Sequence, residues 1–503
     1  MRQVKHKKKR KINLKLFLSP LCLILLGLSV ILSYQFIVLE MIPLMLLIPV
    51  IIAIISITLI YFILVMKSKK RFIQWFSIFL SLVLIIGYSL GNLYVYKTLK
   101  MFEDISDTSD NTIITVSFIT LKDSPANSLE DLGNTFIGVI EVNESDLDAT
   151  TKKLNEKGVG FQTIYYPYND AMLEGLYNGE VDVIAFNEAY RQTILDEGLF
   201  PSLEEDTKTI DTTQYEVEKQ YSSNPVSNII QDPFTVLISG NDDYGQMATI
   251  TRSDVNMLAT VNPQTNTVLF TSIPRDYYVP QVCDKKNGCL SGEYDKLTHT
   301  GLHGVDTTKS TIENFLDVEI NYTVRVNFSS VISLVDALDG IDVYVEPGLA
   351  VDSFWTRPED GVVEGINHLN GVQALAFSRE RYAYADGDAQ RVRNQQLVIL
   401  GILDKLLSPS ILINYGRFMD VLGGAFETTM SSKEMSTLVK YQLTLMPEWR
   451  FEQYSLTGEV DMGMSAEIGD YVSVMYPDEQ SVLTAKNKID AVLLGKSSED
   501  ILD

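Results

Sequence analysis

At 503 residues the chain is long enough for more than one domain and a sizeable core. Its 65 acidic against 41 basic residues give a net charge of −24. With three cysteines and four histidines the chain offers few ligands for a zinc site.

Residues 1–15 carry eight Lys or Arg and no acid. Three apolar spans follow, roughly Leu16–Tyr34, Met41–Met66 and Phe72–Tyr94. Each matches the ~20 apolar residues that a bilayer crossing needs. The first lacks a small-residue cleavage site, so it reads as a retained span rather than a signal peptide. Positive charge flanks the N-terminus and the loop Lys67–Arg71, whereas the turn between spans one and two holds only Glu40. The positive-inside rule therefore predicts a multi-pass cell-membrane protein with a cytoplasmic N-terminus and everything after about residue 97 outside. The basic tail reads first as a topology signal; binding of nucleic acid or anionic lipid is the alternative.

The portion from residue 97 onward holds 29 basic and 64 acidic residues, a net of −35. That disfavours nucleic acid as its ligand and suits a surface bathed in divalent cations. Cys283 and Cys289, six positions apart around Lys-Asn-Gly, could close a small disulfide loop in an oxidising compartment or remain two thiols.

After a polar stretch the chain alternates strand-like and helix-like runs. Thr112–Leu121, Phe136–Glu141, Gly160–Tyr166 and Val181–Phe186 read as strands; Ser145–Lys157 and Asp170–Asn178 read as helices. This is the rhythm of a small α/β domain, weakly similar to the second half of a solute-binding domain, and it contains no catalytic constellation. An accessory or ligand-sensing role follows, with a polar linker at 221–233 after it.

The next domain opens on an apolar strand, Phe234–Ser239, that ends in the carboxylate-rich turn Gly240–Asp243. Strands Asn256–Asn262 and Thr267–Ile273 then form a hairpin across Pro263–Asn266. Arg252 and Asp254 precede the first, and Arg275 and Asp276 follow the second, so pairing brings the four together; a pair of ordinary rim salt bridges is the alternative.

The stretch Ser378–Gln396 (SRERYAYADGDAQRVRNQQ) concentrates Arg379, Arg381, Arg391 and Arg393 in an acidic chain. An extended Phe377–Tyr382 would put Arg379 and Arg381 on one face. A helix from Ala389 would put Arg391 and Gln395 one turn apart, and Asp386-Gly-Asp388 is turn chemistry that folds the two pairs together. Converging guanidinium forks suit a pyrophosphate, whereas a solvated charged loop is the bland reading. His299 and His303, at i and i+4, read as structural in preference to metal or acid–base groups.

The ordered series RSD, SIPRD, KLTH, a helix leading to RER, and then DxxRxRNQQ resembles the LytR-CpsA-Psr family of Gram-positive envelope proteins across roughly residues 232–405. The three-span anchor with an extra external domain resembles its CpsA-type capsule members. The resemblance implies an α/β fold: three transmembrane helices, a small α/β accessory domain, and an α-β-α domain around a central mixed sheet. It implies transfer of a glycopolymer, here capsular polysaccharide, from a polyprenyl-pyrophosphate carrier to peptidoglycan with Mg²⁺, or Mn²⁺ in its place. By matching position, Asp242 and Asp254 are the metal carboxylates; Arg275, Lys296, Arg379, Arg381, Arg391 and Gln395 bind the pyrophosphate; Arg252 belongs to the catalytic set. Phosphoryl transfer needs positioning and charge neutralisation, which this set supplies. Asp388, or else Asp276, is the expected base for the acceptor hydroxyl. The apolar run Val324–Leu338 is expected to offer a wall to the lipid.

The expected order is a basic tail (1–15), spans (16–96), accessory domain (97–220), linker (221–233), catalytic domain (234–485, with its motifs in 234–405) and a loose tail (486–503). Helices after Gln396 are expected to cover the sheet. Two rivals share the site: a hydrolase that releases free glycan, and a membrane-anchored regulator whose tail meets DNA or the capsule export and kinase machinery.

Overall fold

The computed structural model describes residues 15–67, 70–106, 112–217, 222–241, 250–283, 289–408 and 415–501. The basic tail up to residue 14, the turn holding Asp242 and the Lys-Asn-Gly turn between the cysteines lie outside the described residues. The chain divides into two compact units, one comprising residues 1–103 with 432–446 and the other comprising 104–431 with 447–503.

In the first unit, α1 (Lys15–Val38), α2 (Leu44–Lys67) and α3 (Arg71–Ser106) are long and apolar enough to cross a membrane. Their outward faces are Leu, Ile, Val and Phe, while polar groups turn toward neighbouring helices. Thr58 Oγ1 lies 3.0 Å from Tyr88 OH, and Asn92 Nδ2 donates to the Leu28 carbonyl at 3.1 Å, which satisfies groups that lipid could not. α3 runs on to Ser106, so the expected accessory domain does not begin at 97. The helix Ser432–Leu445, expected over the sheet, groups here instead, with Ser432 Oγ donating to the Phe102 carbonyl.

The second unit begins with a five-stranded sheet. Its elements are β1 (Thr112–Leu121), β2 (Asn134–Ile140), α4 (Glu144–Lys157), β3 (Gly160–Tyr166), α5 (Asn169–Tyr177), β4 (Val183–Asn187), α6 (Arg191–Asp196), α7 (Leu203–Asp206) and β5 (Thr207–Val217). The order is β3-β2-β4-β1-β5, with β2, β3 and β4 parallel and β1 antiparallel to both its neighbours. β5, eleven residues rich in Thr, closes the sheet; its polar side chains conceal it from a search for apolar runs.

Residues 222–233 are not a free linker. The Ser222 N–H meets the Asp306 carboxylate, Asn224 N–H donates to the Asn321 carbonyl, and Val226 N–H donates to Tyr322 OH. The central sheet follows, built from β6 (Phe234–Asn241), β7 (Val255–Asn262) and β8 (Thr267–Ile273). A small ladder of β9 (Tyr278–Pro280) and β10 (Tyr294–Lys296) leads to α8 (Val305–Leu316), then β11 (Tyr322–Asn327) and α9 (Phe328–Ala337). The hairpin β12 (Ile341–Val345) and β13 (Gly365–Leu369) precedes α10 (Gly371–Arg379) and α11 (Asp388–Leu407). After α12 (Tyr415–Leu422) and β14 (Glu427–Thr428), α13 (Ser432–Leu445) belongs to the first unit. The chain closes with β15 (Arg450–Ser455), the hairpin β16 (Gly458–Met464) and β17 (Tyr471–Pro477), and α14 (Glu479–Leu493).

The six-stranded order is β14-β11-β6-β7-β8-β15, antiparallel at β6–β7–β8 and parallel at β11–β6 and β8–β15, hence mixed. β8 is buried at every position, as expected of a strand covered on both faces. One core joins Leu237, Leu258 and Leu269 to Ile312 of α8 and Ile489 of α14. Residues 486–501 are therefore not a loose tail. α14 crosses that boundary, Glu452 accepts from the Ser498 N–H, and Lys488 Nζ donates to the Ile501 carbonyl.

The two sheets share packing. Leu302 is embedded in the cluster of Leu173, Phe186 and Ile194, while Leu199 packs on Ile468 and Val472. Asp170 N–H donates to the Ile468 carbonyl, and Tyr190 OH donates to Glu467 at 2.9 Å.

Candidate active site

The pairing of β7 with β8 sets Asn256 opposite Ile273, so Asp254 and Arg275, each two residues beyond, meet at one sheet end. Arg275 Nη1 is 2.7 Å from Asp254 Oδ1, and Thr298 Oγ1 donates to the same oxygen at 3.1 Å. Backbone hydrogen bonds sew three motifs together. Ser253 N–H donates to the Thr298 carbonyl, Thr298 N–H to the Arg275 carbonyl, and Leu297 N–H to the Tyr277 carbonyl. Gly301 permits this approach, because a Cβ there would lie 2.5 Å from Ser253 N and 2.7 Å from the Thr251 carbonyl oxygen.

Gly387, at φ 51°, turns the chain into α11, which carries Asp388 in its first turn. Arg391 follows one turn later, Nη2 2.6 Å from Asp388 Oδ1. Burial pulls the Arg391 guanidinium below its ordinary pKa, with Arg275 adding to the effect, and the nearby carboxylates Asp388, Asp254 and Asp276 do not offset it. Burial also pulls on Arg275, but there Asp254, Asp276 and Asp388 prevail and hold it above its ordinary value. Among the described residues, Arg275 Nε and Arg391 Nε are buried without a hydrogen-bond acceptor. Buried cationic N–H groups of this kind are suited to an anion.

Asp276 lies 3.6 Å from Arg275 Nε and 3.9 Å from Lys296 Nζ. Arg252 and Lys296 are nearly buried, and each meets a carboxylate at the C-terminal end of α6. Arg252 Nη2 is 2.6 Å from Asp196 Oδ2, and Lys296 Nζ is 2.5 Å from Glu197 Oε1. Asp196 ends α6 and Glu197 caps it, which is the end of a helix where the dipole favours cations. The partners explain acids at that position. Asp-Glu after an apolar helical turn was the available sequence signal, and it was missed, as was Thr298.

Arg379 and Arg381 do not share one extended face; the helix leading to RER is present instead. Arg379 closes α10, and only from Glu380 is the chain extended. Arg379 lies over the Phe328 ring, Cζ 4.3 Å from its centroid, whereas Arg381 stacks on Tyr382 at 4.8 Å. Gln395 is half-buried on α11 one turn after Arg391, while the adjacent Asn394 and Gln396 are buried and brace α11 against the Phe377 carbonyl and Ser272. Of the apolar run expected as a lipid wall, Val324, Val326, Phe328, Val331, Ile332 and Leu334 are half-buried; Val335 and Leu338 are core.

Both histidines bridge buried carboxylates. His299 Nδ1 is 2.8 Å from Asp295, and His303 Nε2 is 2.8 Å from Glu467. Burial works to raise the Asp295 carboxyl, but His299 and the backbone N–H groups of Glu467 and Lys296 outweigh it and hold it below its ordinary value. Cys283 and Cys289 form a disulfide, Cα atoms 6.2 Å apart. Cys289, His303 and Glu467 gather within 4.8 Å, but the disulfide commits that sulfur, so the trio is not a metal centre.

Comparison with known proteins follows these motifs. The family model described as the LytR_cpsA_psr family matches residues 202–489. The polyisoprenyl-teichoic acid–peptidoglycan teichoic acid transferase TagU of Bacillus anthracis is 34% identical over 210 residues, 42% of this chain and 64% of that protein. This chain thus spans just under two thirds of that relative's length. TagU of Enterococcus faecalis is 30% identical over 262 residues, 52% of this chain and 82% of that protein. The solved structure of TagT bound to LI-WTA is 28% identical, covers 55% of this chain and 97% of that one, and superposes with a TM-score of 0.43. With its matched segment holding every motif from RSD to RNQQ, the chain belongs to the LytR-CpsA-Psr family.

Proposed function

We propose that the chain transfers a glycopolymer, capsular polysaccharide, from a polyprenyl-pyrophosphate carrier to peptidoglycan at the outer face of the membrane. The observation that carries this reading is the sheet-end cluster of Arg252, Arg275, Lys296 and Arg391 with its two unaccepted guanidinium Nε–H groups. Relatives over this region bear the names of transferases that act between a polyisoprenyl-linked polymer and peptidoglycan.

In the reaction, an acceptor sugar hydroxyl attacks the sugar-linked phosphorus. A bond forms from the acceptor oxygen to phosphorus, the bridging P–O bond breaks, and polyprenyl phosphate leaves with that oxygen. Arg275 and Arg391 hold the phosphoryl oxygens and receive the charge that develops there. Asp388, at the start of α11, takes the acceptor proton, with Asp276 as the competing base. Arg379 and Arg381 grip the distal phosphate, and the half-buried run from Val324 to Leu334 includes Phe328, whose ring lies beneath Arg379, where a prenyl chain would leave the head group.

The donor chemistry of Asp254 fits a hard cation, since its carboxylate stands beside Arg275 and Thr298 at the phosphate-binding end of the sheet. Mg²⁺, or Mn²⁺, held by Asp254 and Asp242, would supply further neutralisation of phosphoryl charge.

The test is reconstitution of the full chain in bilayer discs with Mg²⁺, a lipid-linked glycan and peptidoglycan. Linked polymer together with polyprenyl phosphate is the expected product. Free glycan in its place identifies the hydrolase, and no product at all refutes both. Asp254→Asn should abolish the Mn²⁺ paramagnetic-resonance signal of bound metal, a readout independent of turnover.

A further inference from the structure

Beside Arg381 stand two exposed aromatic rings that the reaction above does not use. Trp355 is 70% exposed and Tyr382 61% exposed, with centroids 4.9 Å apart and planes tilted by 48°. Trp and Tyr left this open forgo burial that would stabilise the fold, so a rigid exposed pair marks a binding surface. The pair is rigid because of Glu380, the middle residue of RER. Its carboxylate, in a residue 2% exposed, accepts from Trp355 N–H at 2.5 Å and Ala383 N–H at 3.0 Å, fastening together the two loops that carry the rings. Phe354, fully buried on Phe377, anchors the first loop from below, and the Phe354 N–H bonds the Asp360 carbonyl. Arg381 stacks on Tyr382 and donates to its hydroxyl at 2.7 Å, which fixes the second ring.

We propose that Trp355 and Tyr382 form a platform for a pyranose ring of the carbohydrate substrate, built by Glu380 and adjoining the phosphate-binding arginines. The proposal rests on the pyrophosphate reading of Arg379 and Arg381 given above. A sugar's axial C–H face carries partial positive charge that suits the negative face of an aromatic ring, while its hydroxyl edge needs donors and acceptors. Arg381 supplies donors on one side, and the exposed ion pairs Arg357–Glu359 and Arg393–Asp386, nearby in sequence, offer both donors and acceptors. The sugar could be the first unit of the lipid-linked donor or a unit of the acceptor strand, and the chemistry of recognition is the same.

The experiment uses the full chain in bilayer discs and three probes measured by calorimetry: geranylgeranyl pyrophosphate, prenyl-pyrophosphoryl-GlcNAc and a GlcNAc–MurNAc tetrasaccharide. Trp355→Ala should weaken one sugar-bearing probe by about tenfold, the scale of a lost aromatic contact, and leave geranylgeranyl pyrophosphate unchanged. Trp355→Phe should restore most of the affinity. Loss confined to prenyl-pyrophosphoryl-GlcNAc assigns the platform to the donor; loss confined to the tetrasaccharide assigns it to the acceptor. No change with either sugar probe overturns the proposal, as does an equal loss with geranylgeranyl pyrophosphate, the signature of a bilayer or head-group contact. Wild-type protein that binds geranylgeranyl pyrophosphate but gains nothing from sugar overturns the platform alone. Failure of wild type to bind geranylgeranyl pyrophosphate removes the head-group reading and the platform with it.

Discussion

Arg391 is held in an environment that disfavours its own charge, with one carboxylate partner, a neighbouring Arg275, and an Nε–H that no described residue accepts. An anion relieves all three conditions at once. Arg391→Gln should therefore weaken geranylgeranyl pyrophosphate binding by about 10- to 100-fold in calorimetry, the range for a charge-assisted hydrogen bond of about 1.5–3 kcal/mol, with little loss of thermal stability. Asp146 shows the opposite use of burial. It accepts from Asn143, Asn187 and Tyr215, yet burial outweighs the Tyr215 and Asn187 hydrogen bonds and pushes its pKa up to about 6. The folded protein binds this proton more tightly than the unfolded chain does. Its stabilising contribution is thus complete below about pH 4 and is lost as pH rises through 6, a change of about 3 kcal/mol. Asp146→Asn should remove that slope from unfolding midpoints measured between pH 4 and 7; an unchanged slope would assign it elsewhere.

Among the elements, the hairpin β7–β8 was legible from its pattern: apolar runs, a four-residue turn and charged residues at both open ends. Its register places Asp254 against Arg275 without further information. At the RER segment the helix that the family resemblance places before it forms, and the extended alternative fails for a physical reason. Alternating Arg, Glu and Arg looks like one face of a strand, but the Asn370–Gln373 capping box starts a helix that the buried Leu375, Ala376 and Phe377 carry as far as Arg379. α6 shows what pattern reading leaves out altogether, since its acids Asp196 and Glu197 find their partners 56 and 99 residues later in the chain. Counting the ion pairs around the cluster, Arg252, Arg275, Lys296 and Arg391 are met by Asp254, Asp276 and Asp388, and these two acids change the local balance from one excess cation to one excess anion. Asp196→Asn with Glu197→Gln should accordingly tighten geranylgeranyl pyrophosphate binding several-fold, more so at low ionic strength. Weaker binding would mean instead that the pair's chief effect is to orient Arg252 and Lys296.

For the whole molecule, we propose that charge asymmetry sets the orientation in the membrane. Basic residues cluster before α1 and between α2 and α3, and the rest of the chain is acidic. Fusions of an export-dependent phosphatase after residue 106 should be active and fusions in the loop near residue 69 inactive; the reverse pattern would invert the proposed topology. The sequence by itself determined the three apolar helices, four strands of the first sheet and the β7–β8 hairpin of the second, because these follow from local periodicity, turn chemistry and composition, while the mixed sheet around that hairpin was implied by the family resemblance. Tertiary structure alone decided that α13 joins the membrane-proximal unit, that the two sheets share a core through Leu302, and that Glu380 pins an aromatic pair beside Arg381. Each of those depends on contacts between residues far apart in the chain, and such contacts are set by packing and charge pairing in three dimensions rather than by any pattern along the sequence.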